Sequence, residues 1–129
     1  GFLKKAVNGT LKKMPKERIV MAIPFYTRLW TEQEADGVVK LSSEALTMNG
    51  AKDVLSRNKV TAQYDEASGQ NYAEYKKNGV TYKIWMEDMD SLYERLKVIA
   101  GADVAGVAAW RLGFETEQVW PVIDAYMNQ

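Results

Sequence analysis

The sequence contains no cysteine and no histidine. Disulfides, thiolate nucleophiles and zinc sites built on Cys and His are excluded, and so is a Ser-His-Asp triad. There is no excess charge of either sign, because 17 Lys and Arg balance 17 Asp and Glu. A nucleic-acid binder normally shows a basic excess, and nothing here draws the chain electrostatically to a membrane. No segment is long and apolar enough to span a bilayer. No signal peptide is visible, and the chain opens Gly1-Phe2-Leu3 without an initiator methionine. The expectation is a piece of a longer protein, whose compartment the missing cysteines do not fix. Any chemistry must come from carboxylates, tyrosines, tryptophans and arginines.

The 129 residues, 47% of them hydrophobic and 26% charged, suffice for one domain with one real core. Leu3, Val7 and Leu11 recur every four positions and predict a helix over Phe2 to Met14, ended by Pro15. Arg18 to Thr27 reads as a strand. Its run Ile19-Val20-Met21-Ala22-Ile23 hardly alternates, as in parallel strands buried on both faces. Leu29 to Lys40 is polar and reads as irregular. Ser43 then reads as the N-cap of a helix over Glu44 to Arg57, with Gly50 against it. Three alternating stretches follow, Val60 to Asp65, Asn71 to Lys77 and Val80 to Met86. Asn78-Gly79 between the last two is a strong hairpin signal, so the stretch predicts an antiparallel meander with one covered face.

The tail returns to an α/β pattern. A helix is expected over Asp88 to Ala100, capped by Asp88 or Asp90, with Leu92, Leu96 and Ile99 on one face. Val104 to Leu112 reads as a second continuous apolar strand. Thr116 reads as the cap of a last helix reaching about Met127, with Pro121 near its first turn, where proline costs least. Without the middle block, a βαβ unit remains, the repeat of a (β/α) barrel or a doubly wound sheet. A whole barrel needs about 250 residues, so the chain holds a minor share of one.

In barrels the active site lies at the C-terminal strand ends. Here both ends switch to aromatic and arginine side chains, at Pro24-Phe25-Tyr26-Thr27-Arg28-Leu29-Trp30 and at Ala109-Trp110-Arg111. Flat aromatic rings stack on the apolar faces of sugars, while Tyr and Arg donate hydrogen bonds to hydroxyl and acetamido oxygens. The plainer alternative is that Tyr26, Trp30 and Trp110 close the barrel top as packing residues; two strands with the same switch favour binding. Glu87, Asp88 and Asp90 form an acidic cluster that reads as helix capping rather than a metal site, with Glu87 still placed to face the groove. Tyr64, Tyr72, Tyr75, Tyr82 and Trp85 read mostly as sheet packing, one or two extending a sugar platform. Lys76-Lys77 reads as a solvated hairpin edge.

The stretch Lys16-Glu17-Arg18-Ile19-Val20-Met21-Ala22-Ile23-Pro24-Phe25-Tyr26-Thr27-Arg28 is similar to the seventh strand of glycoside hydrolase family 18, the chitinase-like family. Ala22 stands where that family often has glycine. Ala105-Gly106-Val107-Ala108-Ala109-Trp110-Arg111-Leu112-Gly113 resembles its eighth strand. Ile84-Trp85-Met86-Glu87-Asp88, followed by Ser91, resembles the exit from the family's small α+β insertion. The form is closest to the bacterial branch that includes spore-cortex and peptidoglycan glucosaminidases.

The resemblance implies the last two βα units of a (β/α)8 TIM barrel, residues 1–30 and 87–129, interrupted by an α+β insertion over residues 31–86. It implies hydrolysis of N-acetylglucosamine-containing glycans, chitin or peptidoglycan, in which the substrate's own acetamido group attacks the anomeric carbon. Trp110 would floor the central sugar subsite, and Tyr26, Arg28, Trp30 and Glu87 would line the groove. The family's acid sits in an Asp-x-x-Asp-x-Glu motif on the fourth strand. That motif does not occur here, so no residue of this chain inherits the catalytic role. No cofactor and no metal are implied, and the site of action would be extracytoplasmic, secreted or spore-associated. Two alternatives stay open: a lectin-like homologue that has lost the acid, distinguished by that fourth-strand glutamate, and an unrelated α+β partner-binding domain, against which the continuous apolar runs speak. Barrel strands without their neighbours leave open edges, so self-association is expected.

Overall fold

The computed structural model describes residues 1–128. The chain opens with α1 (Phe2–Leu11), which buries Val7 and packs Leu3 and Leu11 against the core. A single 3-10 turn (Lys16–Arg18) leads into β1 (Val20–Pro24). β1 is shorter than the predicted strand. Pro24 has no N–H to extend the ladder, and Phe25-Tyr26 form a break before β2 (Thr27–Ala35).

The stretch expected to be irregular is instead a long hairpin, with β2 paired residue for residue to β3 (Val38–Leu46). Asp36 and Gly37 join the two strands at φ 54° and 73°, the left-handed pair of a type I′ turn that matches strand twist. The hairpin also displaces the predicted helix. Glu44, Ala45 and Leu46 pair with Leu29, Arg28 and Thr27, so α2 begins only at Met48 (Met48–Asn58), capped by Thr47 rather than Ser43. Gly50, which counted against that helix, donates its N–H to Thr47 Oγ1 at 2.9 Å. A Cβ at Gly50 would meet the same oxygen at 3.0 Å, so glycine lets the cap close.

The meander follows as β4 (Gln63–Asp65), β5 (Gln70–Lys77) and β6 (Val80–Trp85). Asn78-Gly79 turns at φ 53° and 75° as the hairpin signal predicted. β4 is shorter than expected, because Val60 is taken up by the end of α2, donating its N–H to the Leu55 carbonyl. The sheet order is β3-β2-β6-β5-β4, antiparallel throughout. One face packs on α2 through Leu29, Ala51, Val54, Ala73 and Ile84. Tyr75 and Tyr82 stack on that same side, 4.9 Å apart. The other face carries no helix among the described residues.

Asp88 caps α3 (Met89–Gly101) in a capping box with Ser91, and Leu92, Leu96 and Ile99 are buried. β7 (Gly106–Trp110) pairs parallel with β1, from Val20 opposite Gly106 to Pro24 opposite Trp110. α4 (Val119–Met127) begins later than expected. Thr116 supplies its carbonyl to the Val119 N–H while its hydroxyl lies 3.9 Å from Met48 Sδ, so it turns the chain without capping the helix.

The helices cover one side of the β1–β7 pair, where Ile23, Phe25, Leu92, Leu96, Ile99 and Val119 form the larger core. The expectation of strands buried on both faces is corrected here. Val20 is 58% and Trp110 68% exposed, on the side shared with Ala22 and Ala108. Among the described residues, the two parallel strands have helices behind them and nothing in front.

Candidate functional site

Four of the residues singled out from the sequence, Tyr26, Arg28, Trp30 and Glu87, line one hollow of about 190 Å³ with Pro24, Gln70 and Trp85. It sits where the two sheets meet. Tyr26 comes from the link between β1 and β2, and Arg28 and Trp30 are two apart on β2, hence on the same face. Trp85 is directly opposite Arg28 on β6, and Tyr72 opposite Trp85 on β5. Cross-strand neighbours share a face, so the sheet's open side carries Trp30, Trp85 and Tyr72 among polar groups. Tyr72 and Trp85 touch with ring centroids 4.7 Å apart. Arg28 lies 5.9 Å from the Trp30 ring centre and donates to Ser43 Oγ from two nitrogens, at 2.6 and 3.0 Å.

The fifth residue, Trp110, stands outside the hollow, one strand over and opposite Pro24. Its carbonyl accepts the Phe25 N–H at 2.7 Å, and its peptide bond to Arg111 is cis. Arg111 is held away by the Phe114 ring, 4.5 Å from its guanidinium.

Glu87 differs from the others in being 7% exposed. Its N–H donates to Thr27 Oγ1 at 2.7 Å, which joins the end of β6 to the start of β2. Its carboxylate accepts from Gln70 Nε2 at 3.0 Å, Ser91 Oγ at 2.9 Å and both arms of Arg95. Burial pushes this carboxyl up, against the pull of Arg95 and the Ser91 hydroxyl. Burial, and then the Glu74 carboxylate, push the Tyr72 hydroxyl up to about 12. That hydroxyl stays a donor, to Glu74 Oε2 at 2.7 Å. Asp88 is spent on the helix cap, and Asn71 donates to both Asp88 and Asp90. Among the described residues no acidic group is arranged to hold a metal ion.

Gln70 and Arg95 were not singled out from the sequence. Gln70 carries no motif. Arg95 had a signal in its spacing: Ser91 and Arg95 are four apart on one face of α3, and Glu87 stands just before the helix's N-cap, Asp88. No helix among the described residues is long and apolar enough to cross a membrane.

A hollow of aromatic rings and hydrogen-bond donors, beside an exposed tryptophan at a parallel strand end, suits a flat polyhydroxylated ligand. The sequence is similar to the cortical fragment-lytic enzyme of Bacillus subtilis, 23% identical over 99% of this chain. The chain spans 30% of that relative's length. The fold matches the spore cortex-lytic enzyme SleL of Bacillus megaterium with a TM-score of 0.82 and 25% identity, over 95% of this chain and 28% of that one. It also matches a class V chitinase of Nicotiana tobaccum, solved in complex with NAG4, with a TM-score of 0.70 and 16% identity, over 95% of this chain and 38% of that one. The sequence model described as glycosyl hydrolases family 18 matches residues 3–115. The chain therefore belongs to glycosyl hydrolase family 18.

Proposed function

We propose that the chain is the C-terminal portion of a family 18 catalytic barrel acting on N-acetylglucosamine-containing glycans, chitin or peptidoglycan. In this reading residues 1–30 and 87–129 supply the last two βα units of a (β/α)8 barrel, and residues 31–86 form an insertion that walls the groove. The open side of β1 and β7, with Val20, Ala22, Ala108 and Trp110 uncovered, would face the rest of the barrel. In this reading such a protein acts outside the cytoplasm, at the spore or cell envelope, which the cortex-lytic names of its relatives support.

The observation that carries the reading is the shared hollow of Tyr26, Arg28, Trp30 and Trp85, one strand from exposed Trp110. Trp110 floors the central sugar, Tyr26 and Arg28 donate to its oxygens, and Trp30 and Trp85 extend the platform along the insertion. Glu87 acts by holding the hollow's shape, since Arg95, Ser91 and Gln70 already occupy its carboxylate. Hydrolysis uses the substrate's acetamido group as nucleophile, and the proton donor lies on a strand outside these 129 residues.

The test is a titration of the chain with N-acetylglucosamine tetramer, followed by indole chemical shifts. The expected result is perturbation of Trp110, Trp30 and Trp85, and binding about tenfold weaker or worse in Trp110→Ala, a loss of about 1.4 kcal/mol. Shifts confined to other tryptophans, or unchanged binding in Trp110→Ala, count against the site. The chain alone should not turn over a chromogenic tetramer. Turnover by pure protein would mean that a residue of this chain is the proton donor.

A further inference from the structure

The outer edge of the five-stranded sheet is β3. It is nine residues long and contains no proline, and all of it but Ser43 and Leu46 is exposed. Val38, Val39 and Leu41 are each more than half exposed. A long, straight, partly apolar edge is a template for another strand, and proteins usually blunt it with charge, proline or a bulge. Here the strand, Val38-Val39-Lys40-Leu41-Ser42-Ser43-Glu44-Ala45-Leu46, carries one cation and one anion, so its charges cancel.

Their placement matters more than their sum. When two copies of an edge strand pair antiparallel about a two-fold axis, the axis runs normal to the sheet and passes through a residue facing its own counterpart. Centring the axis on Lys40 sets lysine against lysine, and centring it on Glu44 sets glutamate against glutamate. Centring it on Leu41 or Ser43 leaves both charges facing uncharged side chains. With Ser42 at the centre, Lys40 of each copy faces Glu44 of the other, twice over. The same register sets Val38 against Leu46 and Val39 against Ala45, so two of the three exposed apolar side chains meet apolar partners, while Leu41 faces Ser43.

We propose that β3 is a self-pairing edge: two copies of the chain join antiparallel through β3 about a two-fold axis at Ser42, held in register by reciprocal Lys40–Glu44 pairs. The occupant of this edge is a second copy, because the strand's charge pattern is complementary to itself in this register alone among those centred on Lys40 to Glu44. The result is one continuous ten-stranded sheet, with the Trp30–Trp85–Tyr72 faces of both copies on the same side.

Sedimentation velocity on the full chain, on Lys40→Glu and on Glu44→Lys tests this, with each variant run alone and in equal mixture. Each variant alone sets like charges opposite one another at both sites, and its association should weaken on the order of tenfold or more. The equal mixture restores an opposite pair at both sites and should associate as the unaltered chain does. Recovery in the mixture also shows that neither variant failed through misfolding. Variants that associate like the unaltered chain, a mixture no tighter than its components, or an unaltered chain that stays monomeric would each overturn the pairing. In the first case association runs through another edge. In the last, the β3 edge serves a different strand or none.

Discussion

Glu87 and Arg95 sit at the junction of the two sheets, and the energetics of that pair follow from where the water is. The carboxylate is almost wholly withdrawn from solvent while Arg95 keeps partial access. Removing one member of such a pair costs more than the pair itself contributes, because the survivor stays buried and uncompensated. Arg95→Met should therefore lose about 3 kcal/mol at neutral pH, measured by urea denaturation. The pH dependence has a definite sign. Burial already raises the folded-state value of Glu87 above its unfolded value, so this group's contribution to stability falls as pH rises through that interval. Without Arg95 the folded value rises further. The deficit of Arg95→Met should shrink on acidification toward the ordinary carboxylate range, and Glu87→Gln should show no such recovery. A deficit independent of pH would mean that Arg95 matters through packing alone.

Hairpins dominate the element scale. Asp36-Gly37 and Asn78-Gly79 both place two consecutive residues at positive φ, which a β-branched side chain resists. Gly37→Val should cost about 1–2 kcal/mol, read as a lower urea midpoint, and the same change at Gly79 should cost a similar amount. Only one of these turns was read from the sequence. Asn78-Gly79 lies between alternating stretches and declares itself. Asp36-Gly37 has the same turn chemistry, but Thr31 to Glu34 on its flank show no alternation, because this end of the sheet meets water on both sides. β2 is a strand because β3 and β6 pair with it on either side, and local pattern does not carry that information. The same pairing drew Ala45 and Leu46 out of the helix that their spacing suggested. Elements with a buried stripe, such as Leu92, Leu96 and Ile99 on α3, were legible throughout. Tyr26, Arg28 and Trp30 share one hollow, and their grouping at a single strand end made that proximity legible. The contact of Gln70 with Glu87 was not legible, since Gln70 reaches it from β5 with no pattern to mark it, whereas that of Arg95 left only a spacing signal.

At the scale of the whole molecule the division is between a covered and an uncovered side. α1, α3 and α4 pack behind β1 and β7, while the opposite side of those strands and their outer edges have no partner among the described residues. We propose these edges as a second route to association, independent of β3 and weaker than it. Lys40→Glu, which disables the β3 register, should still self-associate through the β1–β7 pair at high concentration by light scattering. A strictly monomeric variant would show that the two-stranded sheet tolerates its open edges.

The bond from the Glu87 N–H to Thr27 Oγ1 spans 60 residues of sequence, yet it closes the point where the chain enters and leaves the five-stranded sheet. β2 and β6, the strands that enter and leave there, are already neighbours, with Arg28 opposite Trp85. The loop-closure entropy of that long segment is met where β2 pairs with β6, which joins the local β2–β3 hairpin to the local β4–β5–β6 meander. To β1 and α3 the closed segment then behaves as a short turn. Once β2 and β6 have paired, the effective contact order of the β1–β7 ladder is lower than its sequence separation implies, and folding of this chain should be limited by that long-range β2–β6 closure rather than by the search from Val20 to Gly106.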